Sequence, residues 1–118
     1  MTQAIVKAVG SGAISDKDNL IILFGAEATP ELRKVSVIQA IRDKTTPIEL
    51  ALEGKISFDD QVYQVKHIGD YALEQLNSIE HVTLVFKEVP AEDSLANGIY
   101  LEPYTLPNIS EGTIITYH

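Results

Sequence analysis

Short apolar stretches, each closed by turn-forming residues, recur from one end of the chain to the other. Ala4 to Val9 is the first, followed by Gly10-Ser11-Gly12 and Ser15-Asp16-Lys17-Asp18-Asn19, and then by the run Leu20 to Phe24. Ile48 to Leu52 is closed by Glu53-Gly54, and Ile56-Ser57-Phe58 and Gln61 to Ile68 read as two strands meeting at Asp59-Asp60. Val82 to Phe86 alternates, with Val82, Leu84 and Phe86 on one face and Thr83, Val85 and Lys87 on the other. Ile99 to Leu101 and Thr113 to Tyr117 complete the set. Short runs rich in Val, Ile and Thr suit a pleated, half-buried surface, and many in succession predict a sandwich or barrel. No tandem repeat or low-complexity segment is present. The pattern predicts a single all-β, barrel-like domain with one short helix, and with Val6, Leu20, Ile22, Val65, Leu84, Phe86 and Ile114 buried.

The helix is expected near residues 70–77, where Asp70 offers an N-cap and good helix formers follow. Residues 29–46 carry two signals. Thr29-Pro30-Glu31 has the form of a cap, a first-turn proline and a dipole-complementing acid, and Leu32, Val35, Ile38 and Ile41 recur every third residue. Val35-Ser36-Val37-Ile38 is equally suited to a strand that puts Val35, Val37, Gln39 and Ile41 on one face. Together they predict one helical turn running into a strand from about Val35 to Ile41.

Composition narrows this picture. A chain of 118 residues, 45% of them hydrophobic, fills one domain with a continuous core, and without tryptophan the packing falls to Val, Ile and Leu. Nine Lys and Arg against 17 Asp and Glu give a net charge of -8, which repels nucleic-acid backbones and anionic lipid. A basic protein partner remains compatible with that charge. The chain has no cysteine, so disulfides, thiolate nucleophiles and Cys-held metals are excluded. The N-terminal residues do not have the form of a secretory signal, and Leu20 to Phe24 is far too short to span a bilayer. A cytoplasmic protein without membrane insertion is the expectation.

Few residues can carry chemistry. Gly10-Ser11-Gly12 lacks the lysine and spacing of a phosphate loop, no serine sits in a nucleophile elbow, and Glu88 to Asp93 lacks the ligand spacing of a calcium loop. That leaves three histidines. His118 is the last residue given; His67 follows Tyr63 and Val65 at the two-residue period of their strand face; His81 stands at the mouth of the 82–86 strand, on the side of Thr83. An imidazole in such a place can accept a phosphoryl group or hydrogen-bond a neighbour. His81 and then His67 are the candidate catalytic residues, and neither a metal nor an organic cofactor is expected.

His81-Val82-Thr83-Leu84-Val85-Phe86, with Tyr63-Gln64-Val65 and Ile68-Gly69 upstream, resembles the glucitol/sorbitol-specific enzyme IIA family of the bacterial sugar phosphotransferase system. Gly98-Ile99-Tyr100, Pro107 to Ile109 and Glu111-Gly112-Thr113-Ile114 are similar to its closing strands, and Val9-Gly10, Leu20-Ile21, Gly25-Ala26 and Leu32 fit its start. The resemblance implies a cytoplasmic β protein that takes a phosphoryl group from the histidine-containing phosphocarrier protein onto a histidine and passes it to a transporter IIB subunit. In the register set by Leu32 and Ile38, however, the family's acceptor histidine falls on Gln39, and a second histidine of some members falls on Ile41. An amide nitrogen is not a nucleophile, because its lone pair is delocalised into the carbonyl; Gln39 can hydrogen-bond a phosphate but cannot carry one. Two functions stay open at this level: transfer through His81 or His67, or a divergent member that binds or regulates without transfer. A β domain binding a small molecule at a barrel mouth is a third, more distant reading.

Overall fold

The computed structural model describes residues 1–15 and 17–118; Asp16, within the turn expected at 15–19, lies outside the described residues. The elements are β1 (Thr2–Val9), β2 (Leu20–Phe24), α1 (Pro30–Lys34), β3 (Val37–Ile41), β4 (Lys55–Phe58), β5 (Gln61–Ile68), α2 (Ala72–Ile79), β6 (Val82–Val85), β7 (Gly98–Glu102) and β8 (Ile114–Tyr117). The strands close into a barrel in the order β1-β3-β2-β6-β7-β5-β4-β8. Among the described residues the sheet closes on itself, with β2 joined to β3 only at Leu23 and Phe24. Two neighbouring pairs, β2 with β3 and β6 with β7, run parallel, and the other pairs are antiparallel.

The parallel pairs require crossovers rather than hairpins, and the first is the ambiguous segment after Thr29. Thr29 caps α1 by accepting a hydrogen bond from the Leu32 amide on its side-chain oxygen, and Pro30 occupies the first turn. The helix lasts five residues with none of them buried, and the chain re-enters the barrel as β3 at Val37. Gly10 lets this crossover pack tightly, because a Cβ there would collide with the Arg33 and Lys34 carbonyl oxygens.

Inside the barrel, Ala4, Val6, Ile21, Leu23, Val37, Ile56, Phe58, Val65, Leu84, Ile99 and Ile115 form one core cluster, which α2 extends with Ala72 and Leu76. Val6, Val65, Leu84 and Phe86 are buried as expected. Leu20, Ile22 and Ile114 are only half-buried, because β2 and β8 present the opposite phase, with Ile21, Leu23 and Ile115 inside. An unbroken apolar run has no alternation to fix its phase, and a shift of one residue exchanges the faces.

Two further expectations are corrected. Ile48 to Leu52 is not a strand: Ile48 and Leu50 are buried, but the Ile48 amide donates to the Asn77 side chain (2.7 Å) and Asn77 Nδ2 donates back to the Ile48 carbonyl (3.1 Å). An asparagine on α2 thus supplies the pairing a ladder would have given. α2 itself starts at Ala72, two residues later than expected, with Tyr71 at the N-cap and no side-chain cap bond, so Asp70 does not cap it.

Candidate functional site

β3 alternates so that Val37 faces the core, and Gln39, two residues on, points the same way. Gln39 is 0% exposed. Its Oε1 accepts a 2.6 Å hydrogen bond from the Tyr117 hydroxyl, and its Nε2 donates to the Glu80 carbonyl at 3.0 Å. Tyr117 reaches Gln39 from β8 across β1, where Ala4 lies between the two levels and is small enough to be spanned. Burial pushes the Tyr117 phenol far above its ordinary pKa, so it stays protonated and keeps donating. Both ends of the residue 39 amide are therefore occupied inside the barrel.

Glu80 completes this arrangement, and it is the residue that strand and helix patterns alone do not reveal. It follows α2 with φ 57°, a left-handed conformation that a helix end usually assigns to glycine. Its carboxylate folds back so that Oε1 accepts the Ile41 amide at 2.8 Å, and Lys44 Nζ approaches the same oxygen at 3.7 Å. One residue thus holds β3 twice, by its carbonyl at Gln39 and by its carboxylate at Ile41. The sequence signal is a charged residue, instead of Gly or Asn, at the end of a helix that runs directly into a strand.

The next residue, His81, sits on the outer side of the same junction. Its Nδ1 lies 3.0 Å from the Leu23 carbonyl, which can only accept, so Nδ1 carries the proton. Nε2 is then the basic nitrogen, and it accepts from Asn97 Nδ2 at 3.2 Å. The half-buried ring lies against Phe24, with centroids 4.4 Å apart. These contacts fix one tautomer and one ring orientation.

His67 does not share the face of Tyr63 and Val65. An irregularity in the β5–β7 register between Val65 and His67 turns the chain, so that Val65 pairs with Leu101 but His67 pairs with Tyr100. Its Nε2 meets the Ser94 hydroxyl at 3.3 Å and its ring packs edge-on against Tyr100. His118 Nε2 meets the Ser57 hydroxyl at 3.0 Å on another part of the barrel. The fold therefore does not bring the three imidazoles together. Among the described residues there is no group of three or more His, Cys, Asp or Glu placed to hold a metal ion, and no helix is long and apolar enough to cross a membrane.

Residues 1–116 match the family model described as the PTS system glucitol/sorbitol-specific IIA component. Among solved structures, a PTS system IIA component from Enterococcus faecalis V583 is 39% identical, with a TM-score of 0.93 over 98% of this chain and 98% of that one. No curated protein matches. A family match over nearly the whole length and a shared barrel at that identity lead to one conclusion: this chain belongs to the glucitol/sorbitol-specific IIA components of the sugar phosphotransferase system.

Proposed function

We propose that this chain is a IIA-family component that docks on proteins of a sugar-alcohol phosphotransferase system and does not carry phosphate at residue 39. The observation behind this reading is Gln39: an amide with no nucleophilic nitrogen, fully buried, with Tyr117 and Glu80 holding its two ends. A donor protein could reach that position only by opening the barrel. The partners in this reading are those the family suggests, namely the histidine-containing phosphocarrier protein and a transporter IIB subunit.

A second reading rests on a different observation. His81 has its Nδ1 proton committed to the Leu23 carbonyl, which leaves Nε2 as the lone-pair nitrogen of a half-buried ring. In transfer through His81, that lone pair would form the new N–P bond while the donor's N–P bond breaks, and the donor nitrogen would leave with the bonding electrons. Asn97 would have to release Nε2 first. His67 ranks behind it, since its polar partner is a serine hydroxyl, which can donate or accept and so does not fix the tautomer.

Incubation with phosphoenolpyruvate, enzyme I and the phosphocarrier, with phosphohistidine detected under alkaline conditions, separates the two. The docking reading expects no label on the native chain together with saturable binding to the phosphocarrier. Label that disappears in His81→Ala, and survives in His67→Ala, would establish the second reading instead. Neither label nor binding would overturn both.

A further inference from the structure

The turn from α2 into β6 leaves a cleft beside Glu80 of about 120 Å³, bordered by Gly25, Ala26, Glu27, Lys44, Ile79 and Glu80. Glu80 as a residue is 8% exposed, yet among the described residues only one of its two carboxylate oxygens has a partner. Oε1 takes the Ile41 amide and the approach of Lys44. No hydrogen bond to Oε2 is found among the described residues, and this oxygen points at Gly25, where a Cβ would collide with it. The missing side chain at Gly25 is what leaves room beside Oε2.

Three features of Glu80 oppose its presence. Its backbone is in a conformation suited to glycine, its carboxylate lies at the negative end of a helix, and its side chain keeps only 11% of its surface in contact with solvent. Buried carboxylates are ordinarily paired. Lys44 is a poor permanent partner, since its side chain is 71% exposed and its ammonium stays 3.7 Å away on the other oxygen. The exposed Glu27 also borders the cleft, and its rim carries Ile79, which is 43% exposed. A carboxylate open to one side, beside an apolar surface, is complementary to a cation on an alkyl stem.

We propose that this cleft receives one cationic side chain of a protein partner, a guanidinium lying on Glu80 Oε2 with its methylene stem on Ile79. The proposal rests on the docking reading above and names the chemistry by which the partner is held. A guanidinium suits the site better than an ammonium because its planar fork can hydrogen-bond the carboxylate while its weaker hydration lowers the cost of entering a recess. Lys44 then acts as a tethered stand-in that an incoming cation displaces. The net charge of -8 favours the approach of a basic partner over long range, and Glu80 supplies the point of attachment.

The test titrates N-acetyl-arginine methylamide into the isotopically labelled protein and follows backbone amide shifts. The expected result is saturable shifts centred on Gly25, Ile41, Lys44 and Glu80, absent with N-acetyl-glycine methylamide. In Glu80→Gln, which keeps an acceptor for the Ile41 amide, affinity should fall at least tenfold; in Lys44→Ala it should rise severalfold. Gly25→Ala, which crowds Oε2, should lose the response as a second and independent variant. Shifts scattered over the acidic surface, or unchanged in both Glu80→Gln and Gly25→Ala, would overturn the proposal. Binding of the phosphocarrier is measured on the same proteins. Equal binding to native chain and Glu80→Gln would sink the cleft as the point of attachment while leaving docking intact. Arginine binding at the cleft without phosphocarrier binding would sink the docking reading and leave the cleft standing.

Discussion

Residues 39 and 81 lie on two sides of one junction and face opposite fates. Gln39 points into the barrel, where Tyr117 and Glu80 bind both ends of its amide, and its removal would strand polar atoms that water cannot reach. His81 lies outside, stacked on Phe24, with its two nitrogens bonded to Leu23 and Asn97 but its edge half-buried. Both residues are hydrogen-bonded at both ends, so having partners does not by itself distinguish structural from functional groups. Access does. An interior amide can only hold the fold together, whereas an outer imidazole with one movable partner retains a lone pair that a reagent or another protein can approach.

The largest test of this difference is Gln39→Leu. It keeps the size of the side chain but leaves the Tyr117 hydroxyl and the Glu80 carbonyl without partners inside the barrel. Each orphaned group costs about 1–3 kcal/mol, so a loss of about 2–6 kcal/mol is expected for the two, read as a shift in the midpoint of denaturant unfolding. A loss below about 1 kcal/mol would mean that the polar network is not rigid. Gln39→His is the companion variant: the imidazole is confined to the same closed space, and the expected outcome is no phosphohistidine label with the phosphocarrier system. Label at position 39 of the Gln39→His variant, in an otherwise unchanged barrel, would show that the interior opens to donors.

Tyr117→Phe is the next in size. It removes one donor and leaves Gln39 Oε1 unpaired, for a loss of about 1–2 kcal/mol near neutral pH. The pH dependence separates this tyrosine from general packing. Its folded pKa is raised far above the ordinary value of 10.0 by burial, so the unfolded chain releases the proton first. The stabilisation is therefore complete below pH about 10 and is lost as pH rises beyond it, at up to about 1.4 kcal/mol per pH unit. Tyr63, also raised by burial, contributes in the same direction. Unfolding followed from pH about 8 to about 11 should show a shallower decline in Tyr117→Phe than in the native protein. Parallel curves would remove Tyr117 from the account.

How much of the molecule is legible in the sequence depends on the kind of pattern. Alternation at Val82, Leu84 and Phe86 names a barrel strand and its inner face, and Thr29-Pro30 marks the short helix that begins the crossover to β3. The uninterrupted Leu20 to Phe24 carries no phase, since both faces are apolar, and the structure buries the other set. Periodicity misplaces His67 because a strand irregularity leaves no composition signal, yet it moves every later side chain to the opposite face. Gln39 draws notice in the sequence only through the register of the family resemblance. Its burial is not legible there, because its partners Tyr117 and Glu80 are 78 and 41 residues away in the chain. Long-range polar contacts of this kind have no local periodicity to announce them.

The smallest effect belongs to the outer side. Asn97 holds its place independently of its amide, because its backbone carbonyl accepts the Thr83 amide at 3.1 Å. Asn97→Ala should therefore leave the β6–β7 pairing intact and lose only one half-buried hydrogen bond, about 0.5–1.5 kcal/mol. What changes is His81. With Nδ1 still donating to Leu23, the Nε2 lone pair loses the asparagine that holds it and becomes free to react. Modification by diethylpyrocarbonate, followed residue by residue by mass spectrometry, should accelerate several-fold at His81 and stay unchanged at His67, whose partner is Ser94. Nitrogen-15 spectra of the imidazole should show the Nδ1-protonated tautomer in both proteins. Equal reactivity at His81 in the native chain and in Asn97→Ala would mean that stacking on Phe24, rather than the asparagine, limits access to the ring. Phe24→Leu would then be the substitution that speeds the reaction.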